Sequence, residues 1–345
     1  MDLILHIGLP KTGTTTIQRA LLDEHSGSFV PRGKRNPDDP DTLAHAVGEK
    51  DTGPPERSTE RLHRAQRWAH EIRDQAQRHD PALRTVVISQ EALCDWRARG
   101  RPHRLPISMS DWSKRSLRRE GNPPIVDFLK LWKDEIWPWG RVRVIFTVRN
   151  QPEWLASLYA QLSDRIVRPS QKDFERRVYS LIDTDDPYIQ WSHWHAGLVE
   201  ALGSDNVCTL LTEEIDSPHF WKKLGTFVDP GTTNPDLHKN PDIEENKRNE
   251  SPGVAWRIRP PHIRRMVMNN WPDNRFNGLR LSTLRFMDKT ESLYKPVTRL
   301  LFFPVRGRNF LLTDRVRQDI LRHVRLSNQR LAEQLGRDLE SLGYY

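Results

Sequence analysis

Cysteine is almost missing from this chain of 345 residues; the two present, Cys94 and Cys208, lie far apart. A disulfide framework is therefore not expected, and a reducing cytoplasm is the expected setting. The cysteines show no paired metal spacing, and His193 and His195, two positions apart, cannot share one helix face, so no metal site is expected. Long apolar runs are missing too: nothing approaches the ~18 residues of a membrane span. The first apolar stretch, Leu3 to Leu9, is too short for a signal-peptide core and has no basic segment before it. No internal repeat is visible.

What is present is charge and tryptophan. Hydrophobic residues make up 36% and charged residues 29%, which suits a soluble protein with long polar surface segments. The formal net charge is +8. That excess fits nucleic acid, an anionic cofactor, an acidic glycan or a merely basic surface, and does not choose among them. A nucleic-acid module should carry a recognisable reading element, and none is found, so nucleic acid is not the expected partner.

Apolar runs at 3–8 (LILHIG), 85–89 (TVVIS), 142–148 (VRVIFTV) and 207–211 (VCTLL) predict buried strands. Helical spacing follows from Thr14, over 60–79, over "IVDFLKLWKDEI", after Pro152, and in the closing "DRVRQDILRHVRLSNQRLAEQLG". Residues 31–60 read mostly as loop, and 97–120 as a long basic excursion. Strands separated by helices predict an α/β fold: a mostly parallel sheet between helical layers, with ligands at the strand carboxyl ends. Trp132, Trp154 and Trp191 fall near apolar helix faces and are expected in the core.

The opening "HIGLPKTGTTTIQ" resembles a Walker A loop with its lysine displaced. A glycine turn entering a helix presents backbone N–H groups and the positive end of the macrodipole to an anion. Gly13 admits close approach, Lys11 adds a mobile cation, and Thr12 and the hydroxyls of Thr14, Thr15 and Thr16 complete the cradle. A nucleotide kinase also needs Mg²⁺, usually held by an Asp that ends a neighbouring strand. Here the neighbouring strands run into Ser89-Gln90-Glu91 and Arg149. A guanidinium repels a metal and offers a planar fork to phosphate.

"PKTGTTTIQ" resembles the 5′-phosphosulfate loop of sulfotransferases that use 3′-phosphoadenosine 5′-phosphosulfate (PAPS). "VRNQPEWLASLYAQ" resembles their 3′-phosphate motif, a strand-terminal Arg followed eight residues later by a helical Ser, here Arg149 and Ser157. "WSHWHAGLVEALGSDNVCTLLTEEI" is similar to the next family segment: a helix, a G-x-x-N-V turn and a strand ending in Glu. The likeness covers much of residues 1–230. The RKGxxGDWK motif of the cytosolic members is absent, and "KRNESPG" (247–253) stands at a similar place. The resemblance, closest to bacterial-type enzymes, implies a P-loop NTPase-like three-layer fold. It implies one domain over 1–345: an α/β core at 1–230 with insertions at about 31–60 and 97–120, then a helical extension at 231–345. It implies PAPS as donor, adenosine 3′,5′-bisphosphate (PAP) as product, no required metal, and transfer of a sulfuryl group to a hydroxyl or amine.

Lys11 is then expected to neutralise the bridging oxygen as the bond to sulfur breaks. Glu91 is the first candidate for the base that prepares the acceptor, or else a helix cap; His45 is the second candidate. The arginines between 97 and 119, interleaved with Trp96 and Trp112, suit an acidic glycan or glycolipid acceptor, or form a solvated basic excursion. A P-loop kinase or NTPase and a non-catalytic polyanion-binding protein are the alternative readings.

Overall fold

The four apolar runs become parallel strands of one sheet. In this computed structural model they are β1 (Asp2–His6), β3 (Thr85–Ser89), β4 (Val142–Val148) and β5 (Val207–Leu211), and a two-residue strand, β2 (Ser28–Phe29), joins them. The structure describes residues 1–23, 28–29, 55–89, 124–166, 168–230, 255–259 and 309–345. The strand order is β2-β3-β1-β4-β5, every pairing parallel; Leu3, for example, is registered with Val86 on one side and Val142 on the other.

Eight helices are described: α1 (Thr14–Asp23), α2 (Pro55–His79), α3 (Pro124–Leu131), α4 (Gln151–Leu162), α5 (Gln171–Asp183), α6 (Trp191–Leu202), α7 (Pro218–Val228) and α8 (Asp314–Leu335). α3 continues into a π-helical turn, Trp132–Ile136. Side chains alternate across the strands and define two cores. Ile4, Val87, Ile145 and Leu210 pack against α1 and α7, through Ile17, Leu21, Phe220 and Leu224. Leu3, Leu5, Val86, Val144 and Phe146 face the other way, toward α2, α3, α4, α6 and α8. The result is the expected three-layer α/β fold. Burial on both faces is why these strands read as continuous apolar runs. Trp132, Trp154 and Trp191 are fully buried.

Several elements differ from the sequence expectation. α2 starts at Pro55, inside the segment read as loop. α5 and α7 were not predicted, although each has a cap: Ser170 accepts from the Asp173 N–H, and Ser217 accepts from the His219 N–H ahead of a first-turn Pro218. The described part of 231–345 is dominated by α8, as expected, but also holds an antiparallel pair, β6 (Ala255–Arg257) and β7 (Asn309–Leu311). Cys208 is buried, and burial pushes its thiol up to about 11, which removes it as a nucleophile near neutral pH. Among the described residues no helix is long and apolar enough to cross a membrane.

β1 lies between β3 and β4, so the chain moves to one side of β1 and later crosses to the other. Ligands in open parallel sheets collect at such a switch point, outside the strand carboxyl ends. The segment after β1, the start of α4 and the segment after β5 meet there.

Candidate functional site

The loop from β1 to α1 is built by a tight turn at Leu9-Pro10-Lys11-Thr12. The Thr12 N–H and the Thr12 hydroxyl both donate to the Leu9 carbonyl, at 3.2 and 2.6 Å. Pro10 presets the second position of such a turn, and the third requires positive φ. Lys11 occupies it at φ 73°, where glycine is the ordinary residue. A side chain held there costs about 1–3 kcal/mol, and such positions cluster at functional sites. Gly13, at φ 74°, then leads the chain into α1.

The loop carbonyls are drawn into protein contacts. Leu9 accepts from Thr12, Pro10 accepts from Trp154 Nε1 at 2.8 Å, and Lys11 accepts from Arg149 Nη1 in a long bond of 3.4 Å. Gly13 accepts from the N–H groups of Thr16 and Ile17 at the start of α1. Left-handed residues at 11 and 13 followed by a helix N-terminus are the features from which anion-binding turns are commonly built.

Gly8 is required by space and Gly13 by its backbone angle. A Cβ on Gly8 would lie 2.0 Å from Thr147 Oγ1 and 2.4 Å from Thr14 Cγ2. A Cβ on Gly13 would lie 2.8 Å from Ile215 Cδ1, besides the unfavourable φ. Gly13 was expected at the site; Gly8 was missed, and the only signal was a glycine directly after a strand.

The loop residues Lys11, Thr12, Gly13, Thr14, Thr15 and Thr16 lie together, but not equivalently. Lys11 is half-buried and Thr15 exposed, while Thr12, Thr14 and Thr16 are buried. The Thr12 hydroxyl, besides donating to Leu9, lies 2.7 Å from Thr147 Oγ1, so it braces the loop on β4. Arg149, directly after β4, reaches the turn. Ser157 is buried on α4, three residues beyond Trp154, whose indole bonds the loop. Glu91 and His45 lie outside the described residues, as does the basic segment 97–120.

Beneath the loop, His6 ends β1 fully buried, with Nδ1 2.6 Å from Ser89 Oγ. Burial lowers its pKa to about 3, so the imidazole is neutral. Beside Arg149 stands Glu213, which follows β5. Its Oε1 accepts from the Asn150 N–H at 2.7 Å and its Oε2 from the Tyr344 hydroxyl at 2.8 Å. Burial raises its pKa above the usual carboxylate range, opposed by these hydrogen bonds and by the Arg149 charge. Tyr344 was not singled out from the sequence, and the Glu at the end of β5 was marked only by the family resemblance, with no role, because each gains its contacts from residues more than 60 positions away.

No protein-family model matches the chain, and no curated protein matches it. Among solved structures, a sulfotransferase from Alicyclobacillus acidocaldarius overlaps 71% of this chain and 86% of its own, at a TM-score of 0.34 and 14% identity. A likeness this distant carries no weight on activity.

Proposed function

We propose that the chain is a sulfotransferase that moves a sulfuryl group from PAPS to a hydroxyl or amine, with a glycan or glycolipid as the acceptor class. One observation carries the reading: the strained turn at Lys11 and the strand-end Arg149, 138 positions apart, meet through the Arg149 Nη1–Lys11 carbonyl bond. An anion-favouring turn beside a guanidinium suits a ligand with two anionic groups, and PAPS has a 5′-phosphosulfate and a 3′-phosphate.

Bound PAPS supplies an activated sulfuryl group on a phosphate leaving group. The loop residues 11–16 hold the 5′ end, and the Lys11 ammonium offsets negative charge that develops on the leaving oxygen. Arg149 takes the 3′-phosphate by its planar fork, with Ser157 on the helix whose Trp154 bonds the loop. Glu91, or His45 in its place, accepts the acceptor proton. No divalent ion is needed in this scheme. A kinase scheme would need a strand-end carboxylate for Mg²⁺. Glu213 stands at such a strand end, but the Arg149 charge acts on it and opposes a divalent cation, while Asn150 and Tyr344 hold its two oxygens.

Calorimetry with PAP, with ATP in the presence and absence of Mg²⁺, and with duplex DNA tests the proposal. Metal-free PAP binding supports it. Mg²⁺-dependent ATP binding would replace it with the kinase reading, and salt-sensitive DNA binding alone with the polyanion-binding one. Arg149→Ala should weaken PAP about 10- to 100-fold, the scale of a lost charged hydrogen-bond partner, and adenosine 5′-phosphosulfate far less. Equal losses would remove the 3′-phosphate assignment. Transfer of labelled sulfate onto glycan and glycolipid extracts identifies the acceptor.

A further inference from the structure

The peptide group between Arg149 and Asn150 is held at both ends. Its carbonyl accepts from Trp191 Nε1 at 2.9 Å, and its N–H donates to Glu213 Oε1 at 2.7 Å. The second Glu213 oxygen accepts from the Tyr344 hydroxyl at 2.8 Å. Tyr344 is fully buried, and its own carbonyl accepts from Asn328 Nδ2 at 2.7 Å. Asn328 and Gln151 exchange paired amide hydrogen bonds of 2.8 and 2.9 Å, and Asn150 Nδ2 donates to the Gly343 carbonyl. These bonds form a closed circuit that leaves the β4–α4 junction through Asn150 and returns through Gln151. It passes through residues after β5, on α8 and at 343–344.

Packing alone does not account for this circuit. A buried carboxylate is costly unless its oxygens are satisfied and an opposite charge is near. Glu213 has both oxygens bonded and lies in the field of Arg149. The backbone that carries the guanidinium is thus fixed on one side by an indole and on the other by a carboxylate that a tyrosine holds in place. The guanidinium also bonds the turn at Lys11, so its direction and that of the loop are set together.

We propose that Glu213 and Tyr344 are positioning residues for Arg149: by fixing the 149–150 peptide they aim the guanidinium, and so set the preference for a nucleotide with a 3′-phosphate over one without. This rests on the PAPS reading above. Pre-organised side chains hold their ligands better because less freedom is lost on binding.

The test compares PAP with adenosine 5′-phosphate by calorimetry in the full chain and in Tyr344→Phe, Glu213→Gln, Arg149→Ala and the Arg149→Ala double variants. Tyr344→Phe keeps the buried ring and removes only the hydroxyl. Expected is a loss of PAP affinity of about tenfold in Tyr344→Phe and in Glu213→Gln, the scale of one hydrogen bond to a charged group. Adenosine 5′-phosphate should bind within about twofold of the unmodified chain. In the Arg149→Ala background neither substitution should cost PAP anything further, because the residue they aim is gone. Equal losses for both nucleotides, or additive losses in the double variants, overturn the proposal. If the unmodified chain does not prefer PAP, the PAPS reading fails and this proposal with it. If it does and the single variants keep the full preference, only the positioning role fails. Should the variants not fold, hydrogen exchange of the Asn150 amide in the unmodified chain decides. PAP should protect it more than adenosine 5′-phosphate does, and equal protection counts against the proposal.

Discussion

Trp154 and Pro10 lie 144 positions apart and share one hydrogen bond, the indole Nε1–H donating to the Pro10 carbonyl at 2.8 Å. The bond ties the side of α4 to the turn that holds Lys11, so the helix expected to help bind one end of the nucleotide also braces the loop expected to bind the other. Trp154→Phe keeps a buried ring but leaves that carbonyl without its donor. Stability should fall by about 1–3 kcal/mol in urea unfolding, and PAP should bind more weakly by calorimetry. Unchanged PAP affinity in a folded variant would show that the brace serves stability alone.

Lys11 combines a strained backbone with an expected catalytic charge, and two substitutions separate these. Lys11→Gly relieves the positive φ and should leave stability unchanged or raise it by up to about 1 kcal/mol. Both Lys11→Gly and Lys11→Ala should lower sulfate transfer about 100-fold or more, the usual cost of removing a charge-stabilising group from an active site, with a much smaller effect on PAP binding. Full turnover in either variant would remove the role given to the ammonium.

Gly8→Ala places a methyl group where Thr147 Oγ1 and Thr14 Cγ2 already stand. Overpacking of this kind costs about 1–3 kcal/mol. The loss should shrink in the Gly8→Ala/Thr147→Ala pair, because the closest contact is then gone. Denaturant midpoints of the four chains measure this, and strictly additive losses would argue against a direct clash.

His6 predicts a pH dependence. Its folded-state pKa is lowered from 6.5 to about 3, so as pH falls the unfolded chain takes up the proton first. Its contribution to stability is complete above pH 6.5 and is lost as the pH falls toward about 3, with a limiting slope of about 1.4 kcal/mol per pH unit. His6→Asn removes this titration, so stability between pH 7 and pH 4.5 should fall less steeply than in the unmodified chain. Parallel slopes would mean that His6 does not titrate in this way.

How far the molecule was legible differs element by element. Strands β3, β4 and β5 have the bounds read from their apolar runs, because a strand covered on both faces leaves its signature in consecutive residues. β1 ends at His6, two residues before the expected Gly8, since the chain there turns into the loop. α5 was missed although Ser170 caps it and Phe174, Val178 and Leu181 recur at i, i+4 and i+7 on one buried face, so its signal was legible in the sequence. At the site, Lys11, Gly13 and Arg149 were marked by residue type at short spacing. Gly8, Trp154 as a loop brace and Tyr344 had no such mark, and the Glu after β5 was marked only through the resemblance of its strand end.

Local patterns in the sequence sufficed for the helix-entry loop and the strand-end arginine, and the alternation of such patterns along the chain for the α/β class. Only the three-dimensional packing set the contacts themselves: Arg149 to the Lys11 carbonyl, Trp154 to Pro10, and Tyr344 to Glu213. The reason is physical. Periodicity and turn chemistry are local properties of the chain, whereas these hydrogen bonds exist only because sheet pairing and core packing carry distant segments to the same end of the sheet.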